Sequence, residues 1–255
     1  MRADDGYLSL KKKAPTRKKA PPPARPDRET VLRARRLYRG LVNLYPDAHC
    51  ELNYRNPFEL LIATILSAQC TDVRVNMVAP DLFKAYPTAA DLARADAADI
   101  EELIRSTGFY RNKTKALLSA SADIAENHGN AVPDTMDELL RLHGVARKTA
   151  NVVLGNAFAR HEGVAVDTHV IRLSNRMGLT RHKTAEKIER DLMALFPQKN
   201  WGMVSHLLIW HGRRVCDARK PDCEHCALRK DCPRNGLETT RLKPRNTRNT
   251  RKQGS

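Results

Sequence analysis

Apolar residues recur at helical spacing through most of the chain, and no alternating pattern of useful length appears. Val31, Leu32, Leu37, Leu41, Val42 and Leu44 keep one face of a helix that starts near Thr30 and ends before Pro46. Leu60, Leu61, Ile62, Ile65 and Leu66 make the next segment apolar nearly all round, which marks a central helix. Asn56-Pro57-Phe58-Glu59 announces its start: Asn56 caps, Pro57 suits the first helical position, and Glu59 reaches back to the cap. A polar stretch over 67–72 restarts as a helix through Val73, Val75, Met77, Leu82 and Phe83. Short helices follow from Thr88 and from Asp96, the second stopped by Gly108. A longer one covers 111–127, and Pro133-Asp134 opens another. Further helices begin at Asp167 or Thr168, span about 184–195, and run from Trp201 to Arg213. The fold class predicted is all-α.

The stretch 139–151 organises the rest. Leu139, Leu140 and Leu142 end one helix at Gly144, and a second helix begins within two or three residues and carries Val152, Val153 and Leu154. Two helices joined by a short glycine turn form a helical hairpin. Its turn, and the unpaired N–H groups and positive dipole end of the second helix, suit a phosphate oxygen. His143, Gly144, Val145, Ala146 and Arg147 are thus the candidate phosphate-contacting segment, and Lys148 stands just beyond it.

Charge supports that reading. The 255 residues carry a formal net charge of +16, concentrated toward the ends. Residues 1–30 hold nine Lys/Arg against four Asp/Glu, and 233–255 hold seven against one. A basic body with basic ends points to a polyanion, nucleic acid first. The Lys-, Arg- and Pro-rich arm 1–29 and the tail 234–255 are expected to be disordered. No run of 18 apolar residues and no secretory h-region appear, so neither a membrane span nor export is expected. Six cysteines then belong to a reducing, cytoplasmic compartment and to metal or catalytic use rather than disulfides.

Four of the cysteines, Cys216, Cys223, Cys226 and Cys232, are spaced C-x6-C-x2-C-x5-C. Zinc sites pair two close clips, and only Cys223–Cys226 is one here. The wider intervals suit a 4Fe-4S cubane better, whose irons each take one thiolate. Arg219, Lys220, Arg229 and Lys230 lie between the ligands and make the loop basic. Cys50 and Cys70 fall outside the pattern and read as small buried hydrophobes.

Together, Leu142-x-Gly144-Val145-x-Arg147-Lys148-Thr149-Ala150-Asn151, Val166-Asp167-Thr168-His169-Val170, the cysteine spacing, the segment 66–72 and Gly108-Phe109-Tyr110 resemble the bacterial endonuclease III family over about 31–233. The resemblance implies a helix-hairpin-helix DNA glycosylase fold in two helical domains. One is a six-helix domain over 50–160. The other is an iron–sulfur domain built from 30–49 and 161–233. It implies a monomer acting on duplex DNA with damaged bases or abasic sites. The reaction would be excision of oxidised pyrimidines and strand cleavage by β-elimination.

The residue chemistry fits. An amine that attacks the sugar C1′ leaves a Schiff base, which permits β-elimination. Lys148 is the candidate; partial burial and its helix N-terminus would favour the free amine. Asp167 is the candidate carboxylate for developing sugar charge and proton transfer, and it also reads as a helix cap. A glycosylase must flip its target out of the duplex. Gln69 would replace pairing to the orphaned base, and Phe109 would wedge the stack. His169 reads equally as a satisfied core or pocket-wall histidine and as a DNA contact.

Two positions depart from the family. His143 stands where Pro is usual and leaves the turn more mobile, and Ala146 replaces a second Gly. Ala146 is harmless in a first helical turn but costs about 1 kcal/mol of DNA affinity if the position needs positive φ. Two rival readings are a related glycosylase for mismatched or ultraviolet-damaged bases and a non-catalytic iron–sulfur DNA-binding protein.

Overall fold

The structure, a computed structural model, describes residues 26–237. It is helical, with no strand among the described residues. Eleven α-helices follow in order: α1 Arg28–Leu44, α2 Pro57–Leu66, α3 Asp72–Ala85, α4 Ala89–Ala93, α5 Ala97–Ile104, α6 Tyr110–Asn127, α7 Met136–Leu139, α8 Arg147–Ala157, α9 Thr168–Arg176, α10 Ala185–Leu195 and α11 Trp201–Arg214. None is long and apolar enough to cross a membrane.

Local chemistry sets the boundaries. Asp27 accepts from Thr30 N, so α1 begins two residues before Thr30. Asn56 accepts from Glu59 N with Pro57 in the first turn. Glu59 reaches one residue past the cap, to Arg55 N at 2.7 Å, while its other oxygen takes the Arg55 guanidinium. Thr88 and Asp91 complete a reciprocal capping box on α4. Thr135, not Asp134, caps α7.

Two hydrophobic cores result. The first gathers apolar side chains between Leu52 and Leu154 around α2, whose residues from Phe58 to Leu66 are all buried. The second joins Leu37 and Leu41 of α1 to residues between Val164 and Leu228. Residues 234–237, assigned by sequence to the basic tail, instead continue the folded body: Asn235 N donates to Arg176 O at 3.0 Å. The arm over 26–29 is likewise folded, and the rest of both basic ends lies outside the described residues.

The candidate active site and the cysteine loop

The hairpin turn forms as its residues dictate. Gly144 has φ +80°, and a Cβ there would lie 2.7 Å from Ala116 Cβ on α6. Only glycine meets both conditions. Val145 N closes the turn onto Leu142 O at 3.2 Å, and its side chain is buried. Ala146 precedes α8 with φ −93° and ψ 169°. Negative φ suits any residue, so the methyl carries no conformational cost. Alanine also supplies no capping oxygen, which leaves the first-turn N–H groups of α8 free of a side-chain cap. His143, Gly144 and Ala146 are all exposed.

Arg147 does not join that exposed turn. Its Nε pairs with Glu189 Oε2 of α10 at 2.7 Å. The other Glu189 oxygen accepts from Asn151 Nδ2 at 2.8 Å, in a buried position. Glu189 thus straps two residues of α8, one helical turn apart, onto the second core. Gly163 makes this possible, because a Cβ there would fall 2.0 Å from Glu189 Oε1.

Lys148 lies between the strapped residues and lines a cavity, open to solvent, between the two cores. It is exposed rather than partly buried. Asp167 lines the same cavity from the N-terminus of α9 and caps that helix, its Oδ1 accepting from Val170 N at 2.8 Å. The two residues, predicted from separate motifs, meet at one opening. His169 does not line the cavity. It is half-buried against α11, where Arg172 Nη2 lies 3.1 Å from its Nδ1. Burial pushes its pKa down, and Arg172 and Arg213 add to this against the pull of Asp167.

The predicted insertion residues share a backbone feature. Gln69 and Phe109 both have φ +52°, in the left-handed region that side-chain-bearing residues rarely adopt. Both are exposed, Phe109 at 60%, which rules out core packing for the ring.

Other cavity walls were not legible in the sequence. His206 lies 3.0 Å from Asn156 Oδ1, and burial pushes its pKa down to about 4, with positive charge on His49 and His161 acting the same way. Arg213 bonds Glu51 and, at 2.8 Å, Asp72, while Arg214 reaches Glu51 at 2.9 Å. Burial alone would raise the Glu51 carboxyl; the two arginines outweigh it and hold it below the usual range. These pairs join residues more than 140 positions apart, so no local motif announces them.

Beyond α11, Cys216, Cys223, Cys226 and Cys232 line one small cavity. All are free and half-buried. Among the described residues, no three His, Cys, Asp or Glu side chains are arranged to hold a single metal ion. The four thiols share the lining of one space with Arg176, His211 and Leu228. Arg176, 9% exposed at the end of α9, organises the loop: it donates to Asp217 O at 2.6 Å, Ala218 O at 2.7 Å and Cys216 Sγ at 3.3 Å. His211 Nε2 lies 3.5 Å from Cys226 Sγ. Burial and the neighbouring sulfurs push the Cys226 and Cys232 thiols up, although backbone N–H groups oppose this.

Comparison with known proteins decides the family. Residues 62–198 match the HhH-GPD superfamily base excision DNA repair proteins. Endonuclease III of Synechocystis sp. is 56% identical over 201 residues, 79% of this chain and 92% of the relative. The chain belongs to the endonuclease III family. A solved structure of a trapped endonuclease III–DNA covalent intermediate superposes with a TM-score of 0.76 at 42% identity, covering 79% of this chain and 95% of that one. A thermostable thymine-DNA glycosylase superposes at 0.69 with 22% identity and shows the fold alone. Within the endonuclease III family, this chain carries the hairpin lysine and the Asp167 carboxylate on a common cavity, together with a second space that the four cysteines help to line.

Proposed function

We propose that the chain is a bifunctional DNA glycosylase and abasic-site lyase that excises oxidised pyrimidines from duplex DNA through Lys148. The observation that carries this is the meeting of Lys148 and Asp167, from α8 and α9, on one solvent-open cavity. The exposed hairpin turn and the uncapped first turn of α8 grip a DNA phosphate and set the flipped nucleotide over that cavity. The Lys148 amine attacks C1′ as the C1′–N bond to the base breaks, and the departing base takes a proton. Asp167 stabilises positive charge on the sugar and moves protons as the ring opens to the Schiff base. Loss of the 2′ proton and departure of the 3′ phosphate then cleave the strand. Gln69 and Phe109 occupy the space that the flipped base leaves. Arg147 serves the site through Glu189 rather than through DNA.

Cys216, Cys223, Cys226 and Cys232 would hold a 4Fe-4S cluster, with Arg176 and His211 as hydrogen-bond partners of two sulfurs. When bound, the cluster supplies the positive charge that keeps four thiolates together and fixes the basic loop. Its presence is read as visible thiolate-to-iron absorption, lost in Cys223→Ser.

Borohydride trapping tests the assignment of Lys148. Wild-type protein forms a covalent complex with duplex DNA carrying thymine glycol or an abasic site, and Lys148→Gln forms none. No trapping by wild type, with DNA affinity intact, would reduce the protein to a non-catalytic binder.

A further inference from the structure

Lys113 on α6 is 5% exposed. Its Nζ donates to the backbone carbonyl of Thr107 at 2.9 Å, and no carboxylate pairs with it among the described residues. A buried ammonium with a neutral partner costs far more than a methionine of similar volume would. The position of that partner gives the charge a use. Thr107 precedes Gly108 and Phe109, which have φ +71° and +52°. The backbone N–H of Lys113 donates to Phe109 O at 3.1 Å. Lys113 therefore holds the carbonyls on both sides of the strained dipeptide, one with its side chain and one with its backbone. Arg105 and Arg111 each lie 5.6 Å from the ring centre of Tyr110, the next residue. The turn is gripped from below while the Phe109 ring stays in solvent.

We infer that Lys113 is a positioning residue for Phe109: its buried ammonium fixes the Thr107 carbonyl and so presents the phenyl ring for entry into the duplex. This rests on the proposed role of Phe109 as the wedging side chain. Burial pushes the Lys113 pKa down, and the charge of a neighbouring Cys70 thiolate would raise it.

The test compares single-turnover excision of thymine glycol with cleavage of a ready-made abasic site, which has no base left to unstack. Lys113→Met should slow excision about tenfold, and at least about threefold more than it slows abasic-site cleavage. In a Phe109→Ala background the same substitution should add less than about twofold, because the ring it positions is gone. Equal losses on both substrates, or an undiminished loss in the Phe109→Ala background, would overturn the inference. If Phe109→Ala impairs excision and Lys113→Met does not, the inference fails while the wedge stands. If Phe109→Ala leaves excision unchanged, the wedge itself falls, and the inference with it. Should Lys113→Met melt too low to assay, Lys113→Gln is read the same way; its shorter amide reaches the carbonyl less well and should give a smaller loss with the same bias.

Discussion

Arg147 and Glu189 meet at 2.7 Å across 42 residues of sequence, and the same carboxylate holds Asn151. The helix bearing Lys148 is thereby attached to the second core by a buried side chain. Removing the carboxylate strands the buried Asn151 amide, while Arg147 can turn to water. Glu189→Ala should therefore cost about 2 kcal/mol in urea unfolding. Glu189→Gln, which can still accept from Asn151, should cost less. Equal losses in the two variants would show that the carboxylate charge, rather than the hydrogen bond, matters.

Gly144 and Ala146 separate two kinds of small residue in one turn. Gly144→Ala meets both positive φ and a 2.7 Å clash, and should destabilise the protein by about 1–3 kcal/mol and weaken DNA binding. Ala146→Gly should change DNA affinity less than about twofold, since the backbone there is already extended. Fluorescence anisotropy with an abasic-site analogue duplex checks both; a large gain in affinity from Ala146→Gly would refute the second.

His206 gives stability a pH dependence. Its folded pKa of about 4 lies below the unfolded value of about 6.5, so the folded state binds fewer protons between them. Stability from this group is complete above about pH 6.5 and falls as pH drops toward 4, by up to about 1.4 kcal/mol per unit. His206→Gln should flatten the slope of unfolding free energy over that window. A variant as pH-sensitive as wild type would remove His206 from the account.

Arg176 binds two loop carbonyls and one cysteine sulfur from a nearly closed position. Arg176→Met keeps the bulk but leaves those carbonyls unmet, so the protein should purify with less iron and weaker visible absorption per chain. Iron content equal to wild type would show that the loop holds its shape without it.

The parts legible in sequence were those governed by near neighbours. Asn56-Pro57, Asp96, Gly144 and Asp167 set caps and turns through contacts within four residues, and the helices followed. Lys148 and Asp167 came from family motifs, and the fold brought them together. What escaped were contacts between distant segments: Glu189 to Arg147, Arg213 to Glu51 and Asp72, and Arg176 to the cysteine loop. A lone glutamate or arginine in a helix carries no local sign of its partner. Burial was misjudged for the same reason. Lys148 precedes the buried Thr149 but is itself exposed at the opening.

Helix α9 begins beside Asp167 and ends at Arg176, nine residues later. At about 1.5 Å per residue it is a stiff strut of roughly 13 Å, with its head in the cavity that Lys148 lines and its foot on the cysteine loop. Damage at the foot need not travel through electrons or a chain of side chains to be felt at the head. Any tilt of the strut moves the carboxylate relative to Lys148, so under the proposed chemistry the alignment of these two groups is built on the integrity of the cysteine loop.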